Sequence, residues 1–185
     1  MSTRNTLVRS LHDVGAAAWF GGSLMGAIGL NGASQIVTDP TDRTTVASTG
    51  WARWAPFSAA AIGAHLTGGL GLLLANRDRV QAQAGVGANT TVKTALTALA
   101  LGTTAYSGVL GARIAKAGKV PAESGVLPSA GTPPEVVSAQ QQLRALQWAT
   151  PALTAGIIAL GAQQGEQQRP HEITKGVGRR FARAR

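Results

Sequence analysis

A long stretch without formal charge, WAPFSAAAIGAHLTGGLGLLLAN from Trp54 to Asn76, limits what this chain can fold into. At a helical rise of about 1.5 Å per residue it extends about 34 Å, enough to cross a hydrocarbon core of about 30 Å. Backbone amides and carbonyls inside a bilayer must be paired within the segment, so a helix is the economical structure. The stretch is therefore predicted to be a transmembrane helix with one histidine, His65, at its midpoint.

Three further windows lack charged residues, at 14–38, 94–112 and 145–165, and the 17 basic and 8 acidic residues lie almost entirely between the windows. A soluble Ala-rich bundle is the alternative, but a soluble helix needs a polar face and none of the windows has a charged one. We predict an all-α polytopic membrane protein, a four-transmembrane-helix bundle. The expected spans are about 13–35, 54–76, 92–114 and 145–165. The last is extended from about 133, because TPPE at 132–135 fits a capping box.

The basic residues predict the orientation of this bundle. Of the 17 Lys and Arg residues, 11 fall on the side that holds both termini and 6 on the other side. Cytoplasmic segments carry the excess of positive charge, so both termini are expected to be cytoplasmic in a plasma (inner) membrane protein. Residues 1–165 form the expected transmembrane domain and 166–185 a basic cytoplasmic tail. Four arginines of the tail are expected to contact anionic lipids or a partner: Arg179, Arg180, Arg183 and Arg185.

Small residues spaced along the spans predict close helix packing. Gly22 and Gly26 form a small-xxx-small step in the first span, and Gly68 and Gly108 offer small positions in the second and third. Such residues let helix backbones approach each other closely. These glycines could allow packing between helices of one bundle or between two copies in a homodimer, and the sequence does not distinguish the two.

The histidine at the centre of the second span is the first candidate for a functional site. An ionisable side chain near the bilayer midplane indicates function by default, so His65 is a candidate cofactor ligand, for haem or copper. The alternative is a neutral His65 that is hydrogen-bonded to a hydroxyl of another span, at Thr103, Thr104, Tyr106 or Ser107. His12 is the obvious second haem ligand, but as a residue just before the first span it is expected about 16 Å from the midplane.

One segment resembles a known family. The run LHDVGAAAWFGG, from Leu11 to Gly22, is similar to the LHxxxxxxWxGG opening of a span in copper-resistance protein D-like membrane proteins and related bacterial four-helix membrane proteins of unknown function. The resemblance implies a helical membrane bundle that handles copper. It also implies that His12 is a metal ligand and that Trp19, Gly21 and Gly22 are the other positions carried over.

The remaining residues indicate which classes of function to expect. The chain has no cysteine, no HExxH, Walker or GxSxG motif, and no carboxylate inside a span, so we expect a non-enzymatic protein. The leading hypothesis is an accessory or scaffold subunit, without a cofactor, that docks on a larger membrane complex. The alternative is a haem- or metal-ion-handling protein centred on His65. The expected partners are membrane lipids and other membrane subunits or a second copy, and not nucleic acid, because topology accounts for the net charge of +9.

Overall fold

The computed structural model describes residues 5–77 and 84–166. It is 84% helical and has no strand within these ranges, which confirms the predicted all-α class. The helices are α1 Thr6–Met25, α2 Arg43–Ala75, α3 Ala84–Lys116 and α4 Pro134–Glu166. A π-helical turn, Gly26–Leu30, continues α1 without a break into two short helical turns, Asn31–Ala33 and Ser34–Ile36.

Within the described ranges, three helices are long and apolar enough to cross a membrane: Arg43–Ala75, Val86–Lys116 and Pro134–Gly165. Their apolar windows lie mostly on the outside of the bundle, with only 17%, 11% and 22% of each window buried. Such large exposed apolar surfaces are rare on soluble monomers and normal where helices face lipid. α1 packs beside these three as the N-terminal helix of the bundle.

The first two helices have bounds that differ from the expected spans. α1 begins at Thr6 instead of near Asp13, so His12 lies inside the helix and not before it. α2 runs unbroken from Arg43 to Ala75, so it begins well before the expected span 54–76. His65 consequently lies closer to the C-terminal end of α2 than to its N-terminal end.

The helices form a four-membered ring with one weak side. α1 and α2 pack antiparallel, α1 also packs on α4, and α4 packs on α3. α2 and α3 barely touch. A buried cluster at the centre joins three of the helices through Trp19 of α1, Ala100 of α3 and Ile157 of α4. The bundle is therefore closed on three sides and open between α2 and α3.

The end of the bundle opposite the histidines is held by polar contacts. Asn31 is buried, donates to Gln147 Oε1 at 2.9 Å and accepts from Trp51 Nε1 at 3.2 Å. The loop between α3 and α4 folds over this end, where the Gly125 amide donates to Ser34 Oγ at 3.0 Å.

The expected capping box before α4 is not used as one. The Thr132 hydroxyl donates to the Pro121 carbonyl at 2.6 Å and accepts from the Ser129 amide at 2.8 Å. The hydroxyl therefore ties the loop together, while α4 itself begins at Pro134.

Candidate functional site

His12 of α1 and His65 of α2 lie side by side in the bundle. Their ring centroids are 4.4 Å apart, and each residue is only 3% exposed. The expectation that a difference in depth of about 16 Å keeps them apart is therefore wrong. The expectation placed His12 outside the first helix, whereas α1 begins at Thr6 and includes His12, and both histidines lie toward the same end of the bundle.

Two glycines allow α1 and α2 to approach closely enough for this pairing. A Cβ atom at Gly15 would lie 2.5 Å from the His65 amide nitrogen, and one at Gly68 would lie 2.3 Å from the His12 amide nitrogen. No real Cβ tolerates such distances, so the helices are in backbone contact only because both positions lack a side chain. This contact brings Nδ1 of His65 to 3.1 Å from the His12 carbonyl oxygen.

The hydrogen bonds assign the tautomer of His65. A carbonyl oxygen can only accept, so Nδ1 carries the proton and Nε2 of the neutral ring is left as a bare acceptor. Among the described residues, the one hydrogen-bonding group within reach of Nε2 is Thr97 Oγ1 at 3.5 Å, and the Thr97 hydroxyl donates instead to the Lys93 carbonyl at 2.9 Å. The lone pair on Nε2 therefore has at most a weak partner.

His12 has the same arrangement. Its Nδ1 lies 2.7 Å from Oδ1 of the neighbouring Asp13, and an ionised carboxylate can only accept, so Nδ1 is the donor. Within the described part of the chain, Nε2 of His12 has no hydrogen-bond partner. Metal-binding histidines commonly donate one ring N–H to a carbonyl or carboxylate in this way, which fixes the tautomer and leaves the other nitrogen for the metal.

Both imidazoles line a cavity of about 230 Å³ on the open side of the bundle. α2 contributes leucines to its wall and α3 contributes Lys93, Thr90, Thr94 and Thr97. Gln164 of α4 accepts a hydrogen bond from Lys93 Nζ at 2.8 Å and also lines the cavity. The site is thus an apolar cleft with two imidazole acceptors and one ammonium group.

The segment that resembles copper-resistance protein D-like proteins runs along this site. Trp19 follows His12 by two helical turns and lies on the same face, 1% exposed, with its ring edge-on to His65 at 6.1 Å. Its Nε1 donates to Thr104 Oγ1 at 3.1 Å. Gly22 lies under the ring of Trp54. The seven-residue spacing of His12 and Trp19 was the sequence signal that both lie on the inward face of α1.

The other predicted residues fall in different places. Gly26 lies under the ring of Trp51, whereas a Cβ atom at Gly108 would meet nothing within 4 Å. The hydroxyl groups expected near His65 are not its neighbours; Thr97 takes their place. The four tail arginines lie outside the described residues: Arg179, Arg180, Arg183 and Arg185. Sequence reasoning missed Lys93, although a lysine within the expected third span was the signal for it.

The distance between the two rings can be compared with the distances expected when two imidazoles bind one ion. At metal–nitrogen distances of about 2.0–2.1 Å, two imidazoles on one ion place their centroids about 5 Å apart in tetrahedral geometry and about 6 Å apart on opposite sides. The observed 4.4 Å is shorter than both distances, so the two rings as placed do not occupy the two axial positions of a haem. The cavity is also smaller than the pockets of about 300–1,000 Å³ that hold drug-sized ligands, and a haem is larger than these.

The pair does not form a complete metal site by itself. The described residues contain no group of three or more His, Cys, Asp or Glu side chains that could hold a metal ion. Any ion held by the two Nε2 atoms would keep open coordination positions, which is typical of sites that exchange their ligands and not of structural sites.

The fold and the site define a helical bundle of membrane-protein type with a buried histidine pair beside a lateral cleft. Comparison of the chain with models of protein families, with curated proteins and with solved structures finds no match. The functional assignment therefore depends on the geometry of this chain alone.

Proposed function

We propose that this protein is an integral membrane protein that binds a transition-metal ion reversibly through Nε2 of His12 and Nε2 of His65. The observation that supports the proposal is the anchored pair: two imidazoles 4.4 Å apart, each with Nδ1 engaged by an acceptor, beside one cavity. Imidazole ligands suit copper, zinc, nickel and iron, and copper(II) binds most tightly to a given nitrogen site. Copper is accordingly the first ion to test.

In the proposed topology the protein crosses the plasma (inner) membrane four times, with α1 as the first span and both termini in the cytoplasm. Its support is the excess of Lys and Arg on the side of the termini. In this orientation the histidine pair lies in the cytoplasmic half of the bundle. Because the chain has no cysteine, single Ser2→Cys and Ser129→Cys variants can be labelled with a membrane-impermeant thiol reagent to test this orientation. A cytoplasmic Cys at position 129 would show that the orientation is reversed.

The function is tested by metal titration of the purified protein in mild detergent. We expect one copper(II) ion per chain, and at least tenfold weaker binding in His12→Ala and in His65→Ala, because each variant removes one of two protein ligands. His171→Ala is the matched control, since it removes the third histidine of the chain and leaves both members of the pair unchanged in sequence. Equal copper binding by wild type and His65→Ala would refute the proposal.

A second function, docking as an accessory or scaffold subunit, is favoured by one surface. α3 exposes Gly102 and Gly108, where a Cβ atom would meet nothing within 4 Å, next to the exposed side chains of Leu99 and Val109. A helix of another subunit or of a second copy packs closely against such positions. Purification in mild detergent tests this hypothesis. Companion proteins that co-purify with the wild type in a fixed ratio and are lost from Gly108→Leu would support docking. A monomer without companions in both wild type and Gly108→Leu would contradict it.

A further inference from the structure

The open side of the bundle has an apolar wall that faces the surroundings of the protein. Leu66, Leu70 and Leu73 of α2 line the cleft and are 37%, 63% and 43% exposed. In a membrane, acyl chains fill this side of a helix bundle, because exposing leucine side chains to water is unfavourable. The cleft therefore opens toward lipid and not toward an aqueous channel.

Lys93 places a positive charge in the same cleft. Its Nζ donates one hydrogen bond, to Gln164 Oε1 at 2.8 Å, so an ammonium group with three N–H donors has two left. No ion pair among the described residues includes Lys93. Asp13 is near enough to interact with it electrostatically, but Oδ1 of Asp13 is bonded to His12 instead.

A lysine in apolar surroundings without a bonded carboxylate is costly unless an anion comes to it. The other polar groups of the cleft do not supply one. The hydroxyls of Thr90 and Thr94 donate to the backbone carbonyls of Val86 and Thr90, and the Thr90 oxygen already accepts from Gln164. Among the described residues no carboxylate is bonded to Lys93 Nζ, which leaves two N–H donors for an anion that enters the cleft.

We propose that the cleft between α2 and α3 binds one anionic phospholipid, whose phosphate accepts hydrogen bonds from Lys93 Nζ and whose acyl chain lies along Leu66, Leu70 and Leu73. Basic pockets between transmembrane helices on the cytoplasmic side are where anionic lipid headgroups bind. The combination of an ammonium group and a leucine wall in one lateral cleft distinguishes this ligand from a free anion, which would gain nothing from the leucines. The lipid site stands independently of the metal proposal.

The test is native mass spectrometry of the full-length protein in detergent micelles doped with phosphatidylglycerol or phosphatidylcholine. We expect one phosphatidylglycerol to be retained in preference to phosphatidylcholine, and Lys93→Gln to weaken this binding about fivefold, the effect of one basic residue at a lipid surface. Lys93→Arg keeps the charge and should keep the lipid. Lys116→Gln removes an exposed lysine from the other end of α3 and should leave binding unchanged.

Two further arms separate the remaining explanations. Leu70→Gln leaves all charges in place and should also weaken lipid binding, which keeps the test decisive if Lys93→Gln fails to fold. Millimolar inorganic phosphate should not displace the lipid. Equal retention of both lipids, equal phosphatidylglycerol binding by wild type and both variants, or displacement by phosphate would each overturn the proposal.

Discussion

The backbone carbonyl of His12 accepts a hydrogen bond from Nδ1 of His65 at 3.1 Å, across the line where α1 and α2 cross. Because the acceptor is a main-chain atom, the bond depends on how closely the two backbones approach and not on the side chain of residue 12. The tautomer of His65, and with it the free lone pair on Nε2, is therefore set by helix packing.

The glycines at the crossing should be sensitive to the smallest substitution. Gly68→Ala puts a Cβ atom 2.3 Å from the His12 backbone, so we expect the helices to separate at a cost of about 1–3 kcal/mol, the usual cost of overpacking. Gly102→Ala is the matched control on α3, where the added methyl meets nothing and should stabilise the helix by up to about 1 kcal/mol. Thermal unfolding in detergent measures both, and equal stability of the two variants would show that the crossing is not tight.

The carboxylate beside the histidine pair should strengthen metal binding without being a ligand. Asp13→Leu removes the acceptor of the 2.7 Å bond from His12 Nδ1, so the ring is free to change tautomer and to rotate. We expect copper(II) affinity to fall about 10- to 100-fold, as in other sites that lose such a bond. Because Asp13 is half exposed, the bundle itself should remain folded. Unchanged affinity in a folded Asp13→Leu protein would argue against an ordered ligand pair.

Lipid and metal should bind cooperatively if both proposals hold. The charge of Lys93 opposes a cation in the shared cavity, and a phosphate on Lys93 removes that opposition. Phosphatidylglycerol should therefore raise copper(II) affinity at least about fivefold, and copper should raise lipid affinity by the same factor. Titrating copper with and without the lipid measures the coupling, and Lys93→Gln should abolish it. Lipid dependence that persists in Lys93→Gln would place the lipid elsewhere.

The stability that Asp39 contributes to the turn before α2 should decrease as the pH falls. The amide and hydroxyl of Thr41 both donate to Asp39 Oδ1 at 2.8 Å, and these two bonds lower the pKa of Asp39 below its ordinary value of 3.8. A carboxylate whose pKa is lower in the folded protein stabilises the fold at pH values above the unfolded pKa. That contribution is lost as the pH falls through the folded pKa, in the acid range below about pH 4.

Thr41→Val removes the hydroxyl bond and keeps the amide bond, which is the larger cause of the lowered pKa, so the pKa of Asp39 should rise part of the way back to its ordinary value. An NMR titration of the carboxyl carbon measures it. Thr45→Val, on the exposed side of the following helix, is the control and should leave the titration unchanged. An unchanged pKa of Asp39 in Thr41→Val would mean that the amide bond alone lowers this pKa.

Several features followed from the sequence because their causes are local. The charge-free windows predict helices that are long and apolar, since hydrophobicity and backbone pairing act within each segment. The all-α class and three of the four predicted apolar helices follow from this, whereas among the described residues α1 is not one of the helices long and apolar enough to cross a membrane. The helix bounds were less predictable, because charged residues such as Arg9 and Asp13 mark where a span could leave a membrane and do not end a helix.

The site itself was decided by tertiary structure. His12 and His65 are 53 residues apart in the chain, and nothing local to either one indicates the other. Their pairing depends on where two helices begin and on two glycines that let the backbones touch, and the cleft beside them exists because α2 and α3 fail to pack. The sequence alone determines which segments are helical and apolar; the relative placement of those helices decides which polar groups share a cavity, because that placement results from packing across the whole bundle.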